Sequence, residues 1–93
     1  MYSDYVLKSI KRSYLYVGMT NNINRRFFQH QYGREKTTAP YRPFKLLIVE
    51  KYDTRKSARV REKYLKSGVG KEWIKRYDFE HNAQVAKLAD ALP

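Results

Sequence analysis

Two short runs near the start of the chain are rich in the β-branched and aromatic residues that favour strands. They cover residues 5–10 and 14–18, and three basic or small residues separate them. This pattern predicts a β-hairpin, although Lys11-Arg12 is not a favoured turn sequence. The apolar run of residues 46–49 predicts a third strand. Because this run is short and uninterrupted, we expect it to be covered on both faces of the sheet.

Residues that commonly cap helices precede two segments with helical periodicity. Asn21 or Asn22 can cap a first helix that reaches residue 31, and Thr54 can cap a second helix that ends at Gly68. A further short helix is expected after Gly70. The resulting order of strand, strand, helix, strand, helix, helix predicts a small α+β fold with an antiparallel sheet.

The length of 93 residues allows one domain and little more. We expect residues 1–80 to form this domain, and residues 81–93 to be a helical, frayed or disordered tail without chemistry of its own. The chain has no cysteine, which excludes disulfides and cysteine-ligated zinc. Its first residues do not resemble a signal peptide, and no apolar run approaches the roughly 20 residues of a membrane span. A cytoplasmic protein is therefore expected.

The charge of the chain is strongly unbalanced. Twenty Lys and Arg stand against nine Asp and Glu, which gives a net charge of +11, and the excess lies in residues 1–80. A positive field of this size points to a polyanion such as DNA, RNA or an anionic membrane. Membrane binding is disfavoured because no segment combines a basic face with a broad apolar one. A basic protein without such a partner is the alternative.

Tyr5 and Tyr16 are predicted to share one face of the sheet. If Lys11-Arg12 forms a two-residue turn, Leu7 pairs with Tyr16, and Tyr5 lies diagonally across from Tyr16. A loop with an odd number of residues would place the two tyrosines on opposite faces. Because tyrosine is common in strands, the packing of two phenols is the alternative to a shared site.

One stripe of the predicted first helix is polar. Asn22, Arg26 and His30 recur every four residues, beside an apolar stripe that contains Ile23 and Phe27. Such a stripe is most often a solvated face. A guanidinium, however, suits phosphate through its planar fork of donors, and histidine can relay protons near neutral pH. Arg26 and His30 are therefore candidates for phosphate chemistry.

Glu62 lies on the helix face that ought to be buried, because it follows Ala58 by four residues and precedes Leu65 by three. A carboxylate that points toward a core needs a partner or a cation. A structural salt bridge to a basic residue is one explanation. The other is a lone carboxylate ligand to a largely hydrated magnesium ion, an arrangement common in phosphate chemistry.

The order and spacing of these residues resemble the GIY-YIG nuclease domain, and in particular its short, stand-alone bacterial members. The resemblance covers about residues 4–76. It is carried by Tyr5-Val6-Leu7, Tyr16-Val17-Gly18, Thr20-Asn21, Arg25-Arg26, His30, Glu62 and the segments 42–46 and 61–68. The chain departs from the family at Ser3 and Asp4, which replace a glycine and an isoleucine, and its second triad reads Tyr-Val-Gly.

The resemblance implies a three-stranded antiparallel sheet flanked by helices, and hydrolysis of phosphodiester bonds with one divalent metal, Mg²⁺ or Mn²⁺. It implies Tyr5 as the general base, His30 as its relay and Tyr16 as the group that orients the attacking water. A tyrosine, with its pKa of about 10, can act as a base if nearby cations lower that pKa. Arg26 would stabilise charge on the phosphoryl oxygens, and Glu62 would hold the metal.

Further basic residues are expected to contact the phosphate backbone without reading base sequence. The candidates are Lys8, Arg25, Lys45, Lys66 and Lys71. DNA is favoured over RNA as the partner. Two alternatives to an endonuclease stay open: a nucleic-acid-binding module that does not cut, and a basic subunit that docks on a protein through its aromatic residues.

Overall fold

A computed structural model describes the backbone of residues 1–91 and the side chains of residues 1–81. Predictions for the side chains of the tail beyond His81 lie outside the described residues. In chain order, the elements are β1 (Tyr2–Ser9), β2 (Leu15–Thr20), α1 (Ile23–Gln31), a 3-10 helix (Ala39–Tyr41), β3 (Phe44–Tyr52), α2 (Arg55–Lys66) and α3 (Gly68–Ala91). The predicted order of strands and helices and the α+β class are confirmed.

The central strand of the sheet is β1. The strand order is β2-β1-β3, and β1 pairs antiparallel with both neighbours. Residues 3–7 of β1 are all buried, as expected of a strand with both faces covered. β3 is an edge strand, and its Val49 is 37% exposed. The expectation that residues 46–49 are covered on both faces was therefore wrong, because an uninterrupted apolar run does not specify a strand's place in the sheet.

The hairpin has the register that the sequence predicted. Leu7 pairs with Tyr16, and the Ser9 N–H donates to the Tyr14 carbonyl at 3.0 Å. Residues 10–13 form the connection. Because this connection has an even number of residues, the two tyrosines of the candidate site lie on one face of the sheet.

Side-chain caps fix the starts of α1 and α2. Asn22 Oδ1 accepts a hydrogen bond from the Arg25 N–H at 3.1 Å, so Asn22 rather than Asn21 is the cap of α1. Thr54 Oγ1 accepts one from the Ser57 N–H at 3.1 Å and caps α2. Both bonds satisfy backbone donors that the first helical turn leaves without partners. The capping residues read from the sequence are confirmed.

One face of the sheet carries a hydrophobic cluster that supports the candidate site. Tyr5, Leu7 and Phe44 are its buried members. Partly buried residues from the hairpin, α1, the 3-10 helix and β3 pack against them, namely Tyr14, Tyr16, Ile23, Phe27, Tyr41 and Leu46. α1 therefore lies over this face, which places the polar stripe of α1 beside the tyrosines of the hairpin.

The chain divides into two compact units. Residues 1–63 contain the sheet, α1 and most of α2. The second unit begins at Tyr64 and contains the end of α2 together with α3. At its start, Ser67 Oγ accepts a hydrogen bond from the Gly70 N–H at 3.1 Å, so the helix expected after Gly70 begins at Gly68. Within the described residues, no helix has both the length and the apolar character that crossing a membrane requires.

Candidate active site

The hairpin brings Tyr5 and Tyr16 together, as predicted. Their ring centroids are 6.1 Å apart, at an interplanar angle of 37°. Tyr5 is 1% exposed, whereas Tyr16 is partly exposed. The Tyr5 hydroxyl therefore lies at the back of the pair, and Tyr16 lies nearer the solvent.

Gly18 makes room for the Tyr5 hydroxyl. It pairs with Tyr5 across the hairpin. A Cβ atom at Gly18 would lie 2.5 Å from the Tyr5 oxygen and 2.9 Å from the Tyr16 ring. These distances are too short for any side chain without movement of the buried phenol. The glycine of the second triad thus permits a tyrosine side chain to cross β2.

α1 supplies the groups that contact the Tyr5 hydroxyl. His30 Nε2 lies 2.8 Å from the Tyr5 oxygen, and Arg26 Nε donates a hydrogen bond to that oxygen at 3.3 Å. The His30 ring is also 5.0 Å from the Tyr16 ring, centroid to centroid. Because Arg26 and His30 are four residues apart, they project from one side of α1. The structure therefore brings together four of the five predicted catalytic residues.

A row of hydrogen bonds continues behind His30. Its Nδ1 atom lies 2.8 Å from Thr38 Oγ1, and the Thr38 hydroxyl donates to the Glu35 carbonyl at 3.4 Å. A carbonyl only accepts hydrogen bonds, so Thr38 is left to accept one from Nδ1–H. This arrangement favours the tautomer in which Nε2 accepts the proton of the Tyr5 hydroxyl.

Burial controls the protonation of the Tyr5–His30 pair. It raises the pKa of Tyr5 to about 12, although the hydrogen bond from Arg26 opposes this shift. It also lowers the pKa of His30 below its usual 6.5, and the positive charge of Arg26 lowers it further. Tyr5 is therefore a neutral phenol and His30 a neutral imidazole at neutral pH. Arg26 does lower the pKa of Tyr5, but the loss of hydration outweighs this one guanidinium, so Tyr5 does not have the lowered pKa that a base acting by itself would need.

Arg26 is held in place by acceptors other than Tyr5. Its Nη2 atom lies 3.0 Å from a Glu35 carboxylate oxygen, and its Nη1 atom donates to Gln29 Oε1 at 3.0 Å. The Arg26 side chain keeps 29% of its surface exposed. Because Glu35 and Gln29 orient this guanidinium and part of it stays exposed to solvent, it can bind a phosphate of the substrate.

Glu35 and Thr38 were missed by the analysis of the sequence. Both lie between α1 and the 3-10 helix, in a segment without regular periodicity. Thr38 is completely buried and Glu35 is partly buried. A buried threonine in a loop can be recognised as part of a site only once the fold is known, because the loop sequence alone does not show which hydroxyl points inward.

Glu62 is buried, as predicted, and belongs to a second group of charged residues. Burial, together with the negative charges of Glu62 and Glu50, raises the pKa of Asp4 to about 6. Arg59 Nη1 lies 3.8 Å from a Glu62 oxygen. Asp4 and Tyr5 are consecutive in β1, so their side chains project to opposite faces of the sheet. Glu62 is therefore grouped with Asp4, whose own side chain lies on the face opposite Tyr5.

The carboxylates of this second group suit a hard divalent cation. Mg²⁺ is commonly bound through one or two carboxylates and keeps several waters. Asp4 is completely buried, and both its carboxylate oxygens lack a hydrogen-bond partner among the described residues. No three His, Asp or Glu side chains in the described part of the chain are arranged to hold a metal ion. Glu62 and Asp4 thus offer carboxylate oxygens of the kind that Mg²⁺ prefers.

The basic residues expected to contact nucleic acid are distributed over both units. Lys8 and Lys45 are partners across β1 and β3, and Arg25 is exposed on α1. Lys66 and Lys71 are exposed in the second unit. Arg25 also donates a hydrogen bond to Asn21 at 3.4 Å. All but Lys8, which is partly buried, are exposed side chains.

Comparison with known proteins agrees with the fold. The family model described as the GIY-YIG catalytic domain matches residues 1–78 of the 93 residues. The comparisons with curated proteins and with solved structures gave no match.

Proposed function

Because the chain belongs to the GIY-YIG family of nucleases, we propose that it is a metal-dependent endonuclease that hydrolyses phosphodiester bonds in nucleic acid, with DNA the favoured substrate. The observation that carries this proposal is the hydrogen-bonded set of Tyr5, His30 and Arg26. Binding a polyanion requires only lysine and arginine side chains. A buried phenol between an imidazole and a guanidinium has no use in such binding, but it suits proton transfer beside a phosphate.

Tyr5 acts as the general base through His30. A water oriented by Tyr16 gives its proton to the Tyr5 oxygen while the Tyr5 proton passes to His30 Nε2, 2.8 Å away. The water oxygen then forms its bond to phosphorus, and the bond from phosphorus to the leaving oxygen breaks. Because the two proton transfers are coupled, Tyr5 never exists as a separate phenolate. This route is compatible with a pKa of about 12 for Tyr5.

Arg26 stabilises the negative charge that grows on the non-bridging oxygens as phosphorus becomes five-coordinate. Its ion pair with Glu35, at 3.0 Å, orients the guanidinium before substrate binds. A preorganised donor of this kind favours the transition state more than the ground state. Arg26 therefore contributes to rate more than to affinity.

Glu62 would hold the divalent metal, Mg²⁺ or Mn²⁺, which would supply positive charge to stabilise the leaving group. The Tyr5 hydroxyl lies over Gly18 of β2, which is an edge strand of the sheet, so a phosphate can approach the hydroxyl from this edge. The basic side chains proposed to contact the phosphate backbone are Lys8, Arg25, Lys45, Lys66 and Lys71.

A nucleic-acid-binding module that does not cut is the second candidate, favoured by the net charge of +11. One experiment separates it from the enzyme. The purified chain is incubated with labelled single-stranded, duplex, flap and junction DNA and with RNA, each in Mg²⁺, Mn²⁺ or EDTA. Cleavage of at least one substrate that EDTA abolishes supports the endonuclease. Binding without cleavage under every condition supports the module.

A further inference from the structure

Three aromatic rings enclose His30, which is completely buried. The ring centroids of Tyr16, Tyr5 and Phe44 lie 5.0, 5.7 and 6.2 Å from that of His30. Each ring nitrogen of His30 has a hydrogen-bond partner at 2.8 Å, Tyr5 at Nε2 and Thr38 at Nδ1. A neutral imidazole carries one proton, so one nitrogen donates and the other accepts. The direction of the hydrogen bond at Thr38 therefore decides whether Nε2 can receive the Tyr5 proton.

Thr38 occupies the N-cap position of the 3-10 helix but does not act as its cap. Threonine is favoured at such a position because its hydroxyl can accept a backbone N–H of the first turn. Within the part of the chain that the structure describes, the Thr38 side chain makes no capping hydrogen bond. Thr38 is completely buried instead, and its hydroxyl contacts His30. Capping of the short helix therefore does not account for this threonine.

The other hydrogen bond of the Thr38 hydroxyl fixes the direction of the row. Its Oγ1 donates to the Glu35 carbonyl at 3.4 Å, which leaves the oxygen to accept from His30 Nδ1–H. The same carbonyl accepts the Ala39 N–H at 2.9 Å, as in a helical turn. A threonine hydroxyl in such a turn commonly bonds back to a carbonyl three or four residues earlier. The backbone at Glu35 thus orients the hydroxyl that faces His30.

We propose that Thr38 is a positioning residue of the proton relay, whose hydroxyl keeps the His30 proton on Nδ1 so that Nε2 stays free to accept the proton of Tyr5. This inference rests on the proposed function, which routes the proton from Tyr5 to His30. During the reaction Nε2 gains the Tyr5 proton while Nδ1 keeps its own, so His30 becomes an imidazolium that still donates to Thr38. Thr38 does not touch the substrate and acts only through His30.

Nitrogen nuclear magnetic resonance of the free protein, made with isotope-labelled histidine, tests the proposal without any substrate. The chain has two histidines, so the spectrum of His81→Asn identifies the signals of His30. At a pH where His30 is neutral, the wild type should carry the His30 proton on Nδ1 and none on Nε2. Thr38→Val removes the hydroxyl and keeps the branched shape. It should move the proton to Nε2, because a buried Nδ1–H without an acceptor is costly.

Two further variants serve as controls for the position of the proton. Thr38→Ser keeps a hydroxyl at the same place and should leave the proton on Nδ1. Thr37→Val makes the same change at the adjacent, exposed threonine, and its His30 spectrum should match that of the wild type. A threonine with a merely structural role would instead lower the melting temperature on change to valine without moving the His30 proton.

The single-turnover cleavage rate provides the second readout. Thr38→Val should cut at least about 10²-fold more slowly than the wild type, because general acid–base catalysis contributes about 10²–10⁴-fold. Its affinity for nucleic acid should stay at the wild-type level, since Thr38 is completely buried. Thr38→Ser should recover most of the rate, and Thr37→Val should cut as the wild type does.

A proton on Nε2 of His30 in the wild type would overturn the proposal, and this result does not depend on the folding of any variant. An unchanged His30 spectrum in Thr38→Val would overturn it as well. If Thr38 holds the proton on Nδ1 but no substrate is cut, the assignment of the proton stands and the nuclease function fails. If substrate is cut while wild-type His30 carries its proton on Nε2, the nuclease function stands and this inference fails.

Discussion

At the scale of single residues, Tyr5 combines two properties that conflict: its phenol is hard to ionise, yet it is proposed to act as a base. Burial raises the pKa of Tyr5 to about 12, so ionisation in neutral solution would leave very little phenolate. Its hydroxyl nevertheless lies 2.8 Å from His30 Nε2 and accepts a hydrogen bond from Arg26. A phenol in this position can accept a proton only as it releases its own. In the proposed mechanism the acceptor is His30, which burial and Arg26 keep neutral.

Tyr5→Phe removes one oxygen and keeps the ring that packs in the hydrophobic cluster. We expect cleavage to be lost while nucleic-acid affinity stays near that of the wild type. His30 Nε2 loses its partner, which should cost about 1–3 kcal/mol of stability. Single-turnover cleavage, binding and thermal unfolding measure the three effects. Tyr32→Phe, at an exposed tyrosine just after α1, is the matched control and should cut normally.

The pH dependence of cleavage distinguishes a relay from a titrating tyrosine. The pKa of His30 is lowered below 6.5, so His30 stays neutral until the pH falls below that value. The rate should therefore be level from about pH 6.5 to 9 and should fall only on the acid side. Protonation of His30 is opposed in the folded state but not in the unfolded state, so the contribution of His30 to stability should fall as the pH drops below 6.5. Protonation of Asp4, whose pKa is raised to about 6, acts in the opposite direction. A rate that climbs steadily toward pH 10 would show that Tyr5 must ionise by itself.

The residues that carry side-chain chemistry differ in how well the sequence revealed them. Arg26 and His30 stand four apart on a helix, and this spacing is enough to place them together. Thr38 and Glu35 lie in a loop, where no period indicates which side chains turn inward. Asp4 could not be interpreted from the sequence, because a single polar residue in a strand gives no information on what faces it.

At the scale of elements, the site depends on how closely β1 and β2 fit together. Gly18→Ala would place a methyl group 2.5 Å from the Tyr5 oxygen. Tyr5 is 1% exposed and packed on several sides, so the ring cannot simply turn away. We expect cleavage to fall with the displaced hydroxyl, and stability to fall by about 1–3 kcal/mol, as in other overpacked cores. Thermal unfolding and single-turnover cleavage test this; Gly68→Ala, where an added methyl would meet nothing within 4 Å, is the control.

The elements themselves were predictable where local chemistry decides them. Whether the hairpin loop has an even or an odd number of residues determines which tyrosines share a face of the sheet. Asn22 and Thr54 cap their helices through their own side chains. The place of β3 at the edge of the sheet was not predictable in this way. Strand order depends on contacts between segments that are distant in the sequence, and a local apolar run carries no information about those contacts.

At the scale of the whole molecule, the excess of positive charge determines how nucleic acid is held. Phosphate contacts by Lys and Arg release counterions, so affinity should fall steeply with salt. We expect a loss of about tenfold or more between roughly 50 and 200 mM salt, measured by fluorescence anisotropy on labelled DNA. A flat titration would instead indicate a protein partner. This prediction comes from the sequence alone, since the net charge of +11 does not depend on the fold.

Arg26 and Arg25 offer the most direct test of the enzyme, because these adjacent residues carry the same charge and differ in position. Arg25 is exposed, whereas Arg26 Nε contacts the Tyr5 oxygen at 3.3 Å. Arg26→Ala and Arg25→Ala should each lower affinity by a similar small factor, since each removes one of twenty Lys and Arg. Circular dichroism checks that both variants remain folded.

The deciding measurement is the single-turnover cleavage rate of these two variants at saturating enzyme, on a substrate that the wild type cuts. Arg26→Ala should be slower than the wild type by about 10²–10³, the scale of losing one preorganised donor in a transition state. Arg25→Ala should retain a rate close to that of the wild type. Equal rates for Arg26→Ala and the wild type would contradict the assignment of this site to catalysis.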